Sequence, residues 1–239
     1  MTENFNFKDN YNIDDLLEIM KILRAPGGCP WDMAQTHASI KKDFIEETYE
    51  VIEAIDKESP DMMKEELGDV LMQVVFHSQI ETEKGNFNFD DVCDGICKKL
   101  ILRHPHVFGS VEADTVDKVL TNWDDIKRKE KNQKTAADAM NAVPKELPAL
   151  MRAEKLEGKA FKAGYGSKER DERLKCLKES LDKVYSNPDD INPEKIGRLL
   201  LAVCGLAKSE DIDAEEALRD VSDEYIKEFS EFEKNSNKE

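Results

Sequence analysis

Residues 40–78 read IKKDFIEETYEVIEAIDKESPDMMKEELGDVLMQVVFHS, and this stretch decides the fold. At about 100° per residue, Ile40, Phe44, Val51 and Ile55 fall on one face, which predicts a helix from about His37 to Ile55. Lys57-Glu58-Ser59-Pro60 breaks it. A second helix follows from about Asp61 to Glu83, with Met63, Leu67, Val70, Val74 and Ser78 inward and Gly85 just past its end. On either side the helical period continues and no convincing strand alternation interrupts it. Ile13–Leu23 reads as a helix closed by Ala25-Pro26-Gly27-Gly28. Phe89–Leu102 reads as another, stopped by His104-Pro105, and Val116–Lys131 as a fifth.

Beyond that, Lys131 to Ala142, Val143-Pro144 and Leu147-Pro148 read as a linker. Leu150–Phe161, Lys168–Tyr185, Pro193–Ala207 and Ala214–Glu233 again read as helices, and the last six residues are expected to fray. The expectation is an all-α protein of two helical units.

The 239 residues carry 52 acidic and 35 basic side chains, a net charge of −17, with 39% apolar and 7% aromatic residues. That composition fits a soluble helical protein with a modest core. No apolar run approaches the roughly 20 residues that span a bilayer, and the polar start from Met1 to Asn10 does not read as a signal peptide. Without a bulk basic footprint, nonspecific nucleic-acid binding is not expected. Five cysteines, an odd number without close pairing, argue against a disulfide framework. A cytoplasmic protein is expected. Residues 1–131 hold 28 acidic and 16 basic side chains, so they carry −12 of the total.

Within that acidic half, Glu47 and Glu50 lie on one helix of the opening stretch, and Glu66 and Asp69 on the next. Each pair is three residues apart and projects from one side of its helix. Glu47 lies about 60° from the centre of its apolar stripe and Glu66 about 80° from its own, at the rim of the core. If the helices pack antiparallel, the four carboxylates converge, and their repulsion calls for a cation. Oxygen-only ligands favour Mg²⁺ or Mn²⁺ over zinc. In a chain that is 36% charged, the same spacing also arises as an ordinary solvated face. Neither helix offers the Glu-x-x-His of di-iron bundles, and His77 reads as a half-buried helix residue.

Lys98, Lys99 and Arg103 cluster at the end of the fourth helix, and Lys127, Arg128, Lys129 and Lys131 at the end of the fifth. Such clusters suit a polyanionic ligand, and equally the dipole of a helix C-terminus. Trp31 and Trp123 are the only tryptophans; each suits stacking on a base or filling the core.

Six blocks in order resemble the MazG nucleoside triphosphate pyrophosphohydrolases of the all-α NTP pyrophosphatase superfamily. They are Gly28-Cys29-Pro30-Trp31-Asp32, Gln35-Thr36-His37, Glu46-Glu47-Thr48-Tyr49-Glu50, Glu66-Leu67-Gly68-Asp69, Arg103-His104-Pro105-His106-Val107-Phe108, and Asn122-Trp123 with Ile126-Lys127. The resemblance covers about residues 12–131, and Leu147-Pro148-Ala149-Leu150 resembles the family's inter-domain stretch. It implies Mg²⁺-dependent cleavage of a nucleoside triphosphate between the α and β phosphates, giving NMP and pyrophosphate, with Mn²⁺ as a substitute ion. By motif, Glu47, Glu50, Glu66 and Asp69 would hold the ion, Lys99, Arg103 and Lys127 would meet the triphosphate, and Trp123 would line the nucleotide pocket. Glu46 is a candidate for orienting or deprotonating water, with a solvent-facing acid as the alternative. Trp31, Asp32 and Gln35 are candidates for the base pocket, and Asp32 and Gln35 equally for fixing their loop. Cys29, Cys93 and Cys97 read as packing residues, and His104 and His106 as phosphate contacts or parts of a turn. A homodimer of intertwined bundles is implied as well.

The expected division is a MazG-like catalytic domain at 1–131, a linker at 132–148 and a degenerate second MazG-like domain at 149–239. In the second domain Glu179 remains, while Ser180, Lys183, Lys195 and Arg198 stand where acids would be expected. Asp220 and Glu224 stand where the family's second copy resembles Lys-x-x-x-Lys. That half is therefore expected to hold neither ion nor triphosphate, and Lys195 and Arg198 are expected to pair with Asp220 and Glu224. The competing reading is a catalytically inactive nucleotide-sensing or partner-binding helical protein. Four crowded carboxylates argue against it, because a scaffold has no use for their repulsion.

Overall fold

The computed structural model describes residues 5–236, so the first residues of the polar start and the last three of the fraying tail lie outside them. Among the described residues the regular structure is helical, with no strand. In order the helices are α1 (Ile13–Arg24), α2 (Pro30–Ala34), α3 (Lys41–Asp56), α4 (Pro60–Lys84), α5 (Phe89–Arg103), α6 (Pro105–Phe108) and α7 (Val116–Glu130). Then come α8 (Ala136–Asn141), α9 (Ala149–Lys162), α10 (Arg170–Tyr185), α11 (Pro193–Ser209) and α12 (Ala214–Ser236). The chain forms two compact units, Met1–Val119 and Leu120–Glu239, dividing inside α7.

Local chemistry explains the boundaries. Asn12 and Asp15 form a capping box on α1, and Asn88 and Asp91 form one on α5, each satisfying backbone donors at the helix start. Ser59 caps α4 ahead of Pro60, and Gly85 closes it in the left-handed region at φ 73°. The helix expected from His37 begins only at Lys41. Thr36 and Ser39 exchange side-chain bonds with each other's backbone N–H, at 2.8 and 3.2 Å, and hold the chain in a turn. The stretch read as a linker contains α8, capped by Thr135 and Asp138.

In the first unit, α3 and α4 pack as a hairpin and α1 packs on α4. The core is Met20, Ile40, Val75, Phe76 and Ile80, flanked by Leu16, Leu17, Met72 and Phe89. This corrects the expected inward face of α4. Of that set only Ser78 is fully buried, and Leu67 is 50% exposed; Gln73, Val75, Phe76 and Ile80 are buried with Ser78 instead. Apolar residues occupy much of this helix's circumference and it packs against α1 as well as α3, so no single stripe describes it. On α3, Ile55 is likewise exposed although Ile40 is buried.

In the second unit, α10 and α11 form the hairpin, with α9 and α12 packed against α11. Buried Arg173 ties the unit together: its guanidinium lies 4.1 Å over the Phe161 ring and 3.1 Å from the Glu157 carboxylate. Lys162 of α9 pairs with Asp124 of α7.

Gly28 closes the turn after α1. Its N–H donates to Ala25 O and the following N–H to Leu23 O, both at 2.8 Å. A Cβ here would stand 2.3 Å from Ile22 O and 2.4 Å from Leu23 O. Gly28→Ala should therefore destabilise the protein by roughly 2–4 kcal/mol, read as a lowered midpoint in denaturant with the m-value unchanged.

Candidate active site

The α3–α4 hairpin brings the predicted acids together. Single carboxylate oxygens of Glu47, Glu66 and Asp69 all lie within 4.8 Å of one another. Glu50 stands beside them: hydrogen bonding to Glu50 and its charge both act on Glu47 and on Glu66. Antiparallel packing produces this, because residues three apart on α3 then face residues three apart on α4. Glu47 and Glu66 are both pushed above the usual carboxylate range. Desolvation is the larger cause in each, followed by the charge of Asp69 for Glu47 and of Glu50 for Glu66. Crowding of like charges thus disfavours the ionised forms of Glu47 and Glu66.

The donor set fits a hard divalent cation. Octahedral ligands about 2.1 Å from Mg²⁺ lie roughly 3.0 Å apart when adjacent and roughly 4.2 Å when opposite, so the three oxygens need only draw inward to share one ion. Among the described residues no other His, Cys, Asp and Glu group comes together this way.

The raised values have a defined sign. The neutral forms of Glu47 and Glu66 are favoured in the fold, so their stabilising contribution is whole below the ordinary value of 4.5 and is lost as pH rises through the raised values. Glu66→Gln should thus raise the melting temperature of cation-free protein at pH 7, and the gain should vanish at pH 4. A calorimetric scan at each pH measures it.

The other predicted residues fall as follows. Glu46 is exposed on α3 and Lys99 is exposed on α5, whereas Arg103, in the last turn of α5, is buried. Trp31, on α2, is 60% exposed. The Gln35 side chain is spent on its own loop, donating to Trp31 O at 3.0 Å and accepting from Ser39 Oγ at 2.7 Å. Asp32 is half-buried, and its carbonyl accepts from Arg24. Trp123 and Lys127 lie on the part of α7 that belongs to the second unit. His104 Nδ1 donates to Leu100 O, 2.6 Å away, as a turn residue does. All five cysteines are free thiols; Cys29 and Cys93 are half-buried, but Cys97 is exposed and does not pack.

Two anchors of the α2 segment escaped sequence reasoning. Arg24 makes a bidentate pair with Glu83, 2.8 Å at each contact, while Nη1 donates to Asp32 O and Gln35 O, and its guanidinium lies 5.1 Å from the centroid of the Phe76 ring. His37 bridges His77 Nδ1 at 2.7 Å and the Glu81 carboxylate at 2.6 Å. Glu81 also accepts from Lys84 and Asn86, and these bonds hold it down to about 2. An ionised Glu81 only accepts, so His37 Nε2 carries the proton there. His37 stood in a family block, but its partner Glu81, like Glu83, was a polar residue on the C-terminal half of α4, indistinguishable from a solvated face.

Burial, and then the charge of His37, lower the His77 imidazole from its ordinary 6.5. Its neutral form is favoured in the fold, and that contribution is whole above 6.5 and declines as pH falls toward the lowered value. The His77 ring proton resonance should accordingly titrate below pH 6.5, and His37→Ala should move that midpoint upward.

In the second unit, the expected cross-helix pairs are not formed. Lys195 pairs with Asp190 at 2.9 Å and Arg198 with Glu194, one turn away on α11, at 2.9 Å. Short-range partners cost less side-chain ordering than reaching across to α12. Glu179 is exposed on α10.

The MazG nucleotide pyrophosphohydrolase domain matches residues 35–108, which hold the whole carboxylate cluster. A nucleoside triphosphate pyrophosphohydrolase of Escherichia coli is 39% identical over 236 residues, covering 93% of this chain and 87% of that one. The chain belongs to the MazG family. A Thermotoga maritima relative, named nucleoside triphosphate pyrophosphohydrolase/pyrophosphatase MazG, is 41% identical over 227 residues, with 92% and 85% covered. A nucleoside triphosphate pyrophosphohydrolase of Mycolicibacterium smegmatis is 39% identical over 152 residues, 63% of this chain and 46% of that one. An all-α fold is what this family membership and the helices show together.

Proposed function

We propose that this MazG-family protein is a Mg²⁺-dependent nucleoside triphosphate pyrophosphohydrolase that cleaves an NTP or dNTP between the α and β phosphates, giving NMP and pyrophosphate. The observation that carries this reading is the convergence of Glu47, Glu66 and Asp69 within 4.8 Å, with Glu50 beside them. A Mg²⁺ ion held there, with Mn²⁺ as a substitute, would neutralise phosphate charge and polarise the scissile bond. Glu46 orients or deprotonates the attacking water. Lys99, Arg103 and Lys127 take the triphosphate, and Trp123, Trp31, Asp32 and Gln35 the nucleoside, as the family motifs imply.

Residues 1–131 act as the catalytic domain, 132–148 as the linker and 149–239 as a degenerate second copy. The similar order of elements supports this: α1, the α3–α4 hairpin and α5 in one unit, and α9, the α10–α11 hairpin and α12 in the other. The exposed Leu67, Leu71, Ile96 and Leu100 support a homodimer. No described helix is long and apolar enough to cross a membrane. The net charge of −17 is the ground for reading the enzyme as cytoplasmic, with neither membrane nor nucleic acid as partner.

Incubation with each NTP and Mg²⁺ should yield NMP and pyrophosphate; NDP and inorganic phosphate would refute the cleavage position. Asp69→Asn or Glu50→Gln should lower kcat by about 10²-fold or more with helical circular dichroism unchanged. Glu179→Gln should leave turnover within about twofold.

A further inference from the structure

Gln73 lies on α4, four residues past Asp69, and is only 4% exposed. Its Oε1 has no hydrogen-bond partner in the chain. A buried amide oxygen left without a partner costs as much as a lost hydrogen bond, so a native fold that retains one has a use for it.

Its position says what that use is. At 100° per residue, Gln73 lies about 40° from Asp69 and about 20° from Glu66 around the α4 axis. It therefore shares the face that carries the acids. α3 crosses that same face: the Phe44 ring lies 5.7 Å from the His77 ring, and Glu47 and Glu50 interact with Asp69 and Glu66. Residue numbers rise along α3 as they fall along α4. Glu47, between Phe44 and Glu50, therefore faces the stretch of α4 between His77 and Asp69, where Gln73 sits. Beyond it along α4, Phe76 and Ile80 enter the apolar core with Met20 and Ile40. Gln73 thus stands at the seam between the core and the acidic cluster, where an apolar side chain of equal volume would fill the space without leaving a polar atom unpaired.

We propose that Gln73 is a positioning residue for the divalent cation, its Oε1 accepting a hydrogen bond from a water bound to that ion. The cation favours six oxygen ligands and keeps several waters when carboxylates supply only some of them. Those waters donate hydrogen bonds, and a neutral amide oxygen accepts one without adding to the charge of four acids. Partners of this kind typically govern metal affinity by about 10–100-fold. The inference rests on the cation-binding part of the proposed function and not on the reaction.

Gln73→Met tests it, with Gln73→Leu as the second variant should the first fail to fold. Two readouts need no substrate: the melting temperature of cation-free protein, and Mg²⁺ and Mn²⁺ affinity by titration calorimetry. The expected result is a melting temperature equal to or above wild type, together with affinity weakened about tenfold for both ions. Affinity within twofold of wild type in the folded variants overturns the inference, whatever the melting temperature does. A melting temperature lowered by several degrees also overturns it, because the amide then serves the fold. Wild-type protein that binds no Mg²⁺ at millimolar concentration removes the cation reading itself. Wild-type protein that binds Mg²⁺ but leaves every NTP intact removes only the reaction, and the effect of Gln73 on affinity remains readable.

Discussion

Mutual repulsion among four carboxylates on one antiparallel hairpin is the constraint around which the first unit is arranged. Desolvation at the rim of the core, and then the neighbouring carboxylate charges, raise Glu47 and Glu66 above the usual carboxylate range. A hairpin can hold such a cluster only if something else keeps its helices together. Here that is the apolar set Met20, Ile40, Val75, Phe76 and Ile80, which lies beside the acids rather than beneath all of them. The core supplies the stability that offsets the repulsion among the acids.

The same division of labour extends to the α2 segment. Five residues of helix cannot hold themselves in place. Arg24 and His37 fasten this one to the C-terminal half of α4 through Glu83 and Glu81, with Phe76 under the guanidinium. One helix therefore carries the acids near its start, the core in its middle and the loop anchors near its end. Its length of 25 residues follows from having three tasks.

In the second unit the α10–α11 hairpin carries charges that pair within the unit. Arg173 meets Glu157 and Phe161, while Lys195 pairs with Asp190, five residues before it, and Arg198 with Glu194, one turn before it.

The amino-acid sequence by itself determined the helical class, because an unbroken 3.6-residue period and well-placed caps such as Asn12, Ser59 and Asn88 are local properties. It also determined the acid pairs, since residues three apart on a helix share a side whatever packs against it. Only the tertiary structure decided which face of α4 turns inward, because that helix is apolar around much of its circumference and its neighbours choose the face. For the same reason the anchors Arg24–Glu83 and His37–Glu81 were illegible: their partners are 59 and 44 residues apart, and separation in sequence carries no trace of contact. Gln73 belongs with them, an unremarkable polar residue until packing buried it beside the acids and left its amide oxygen without a partner.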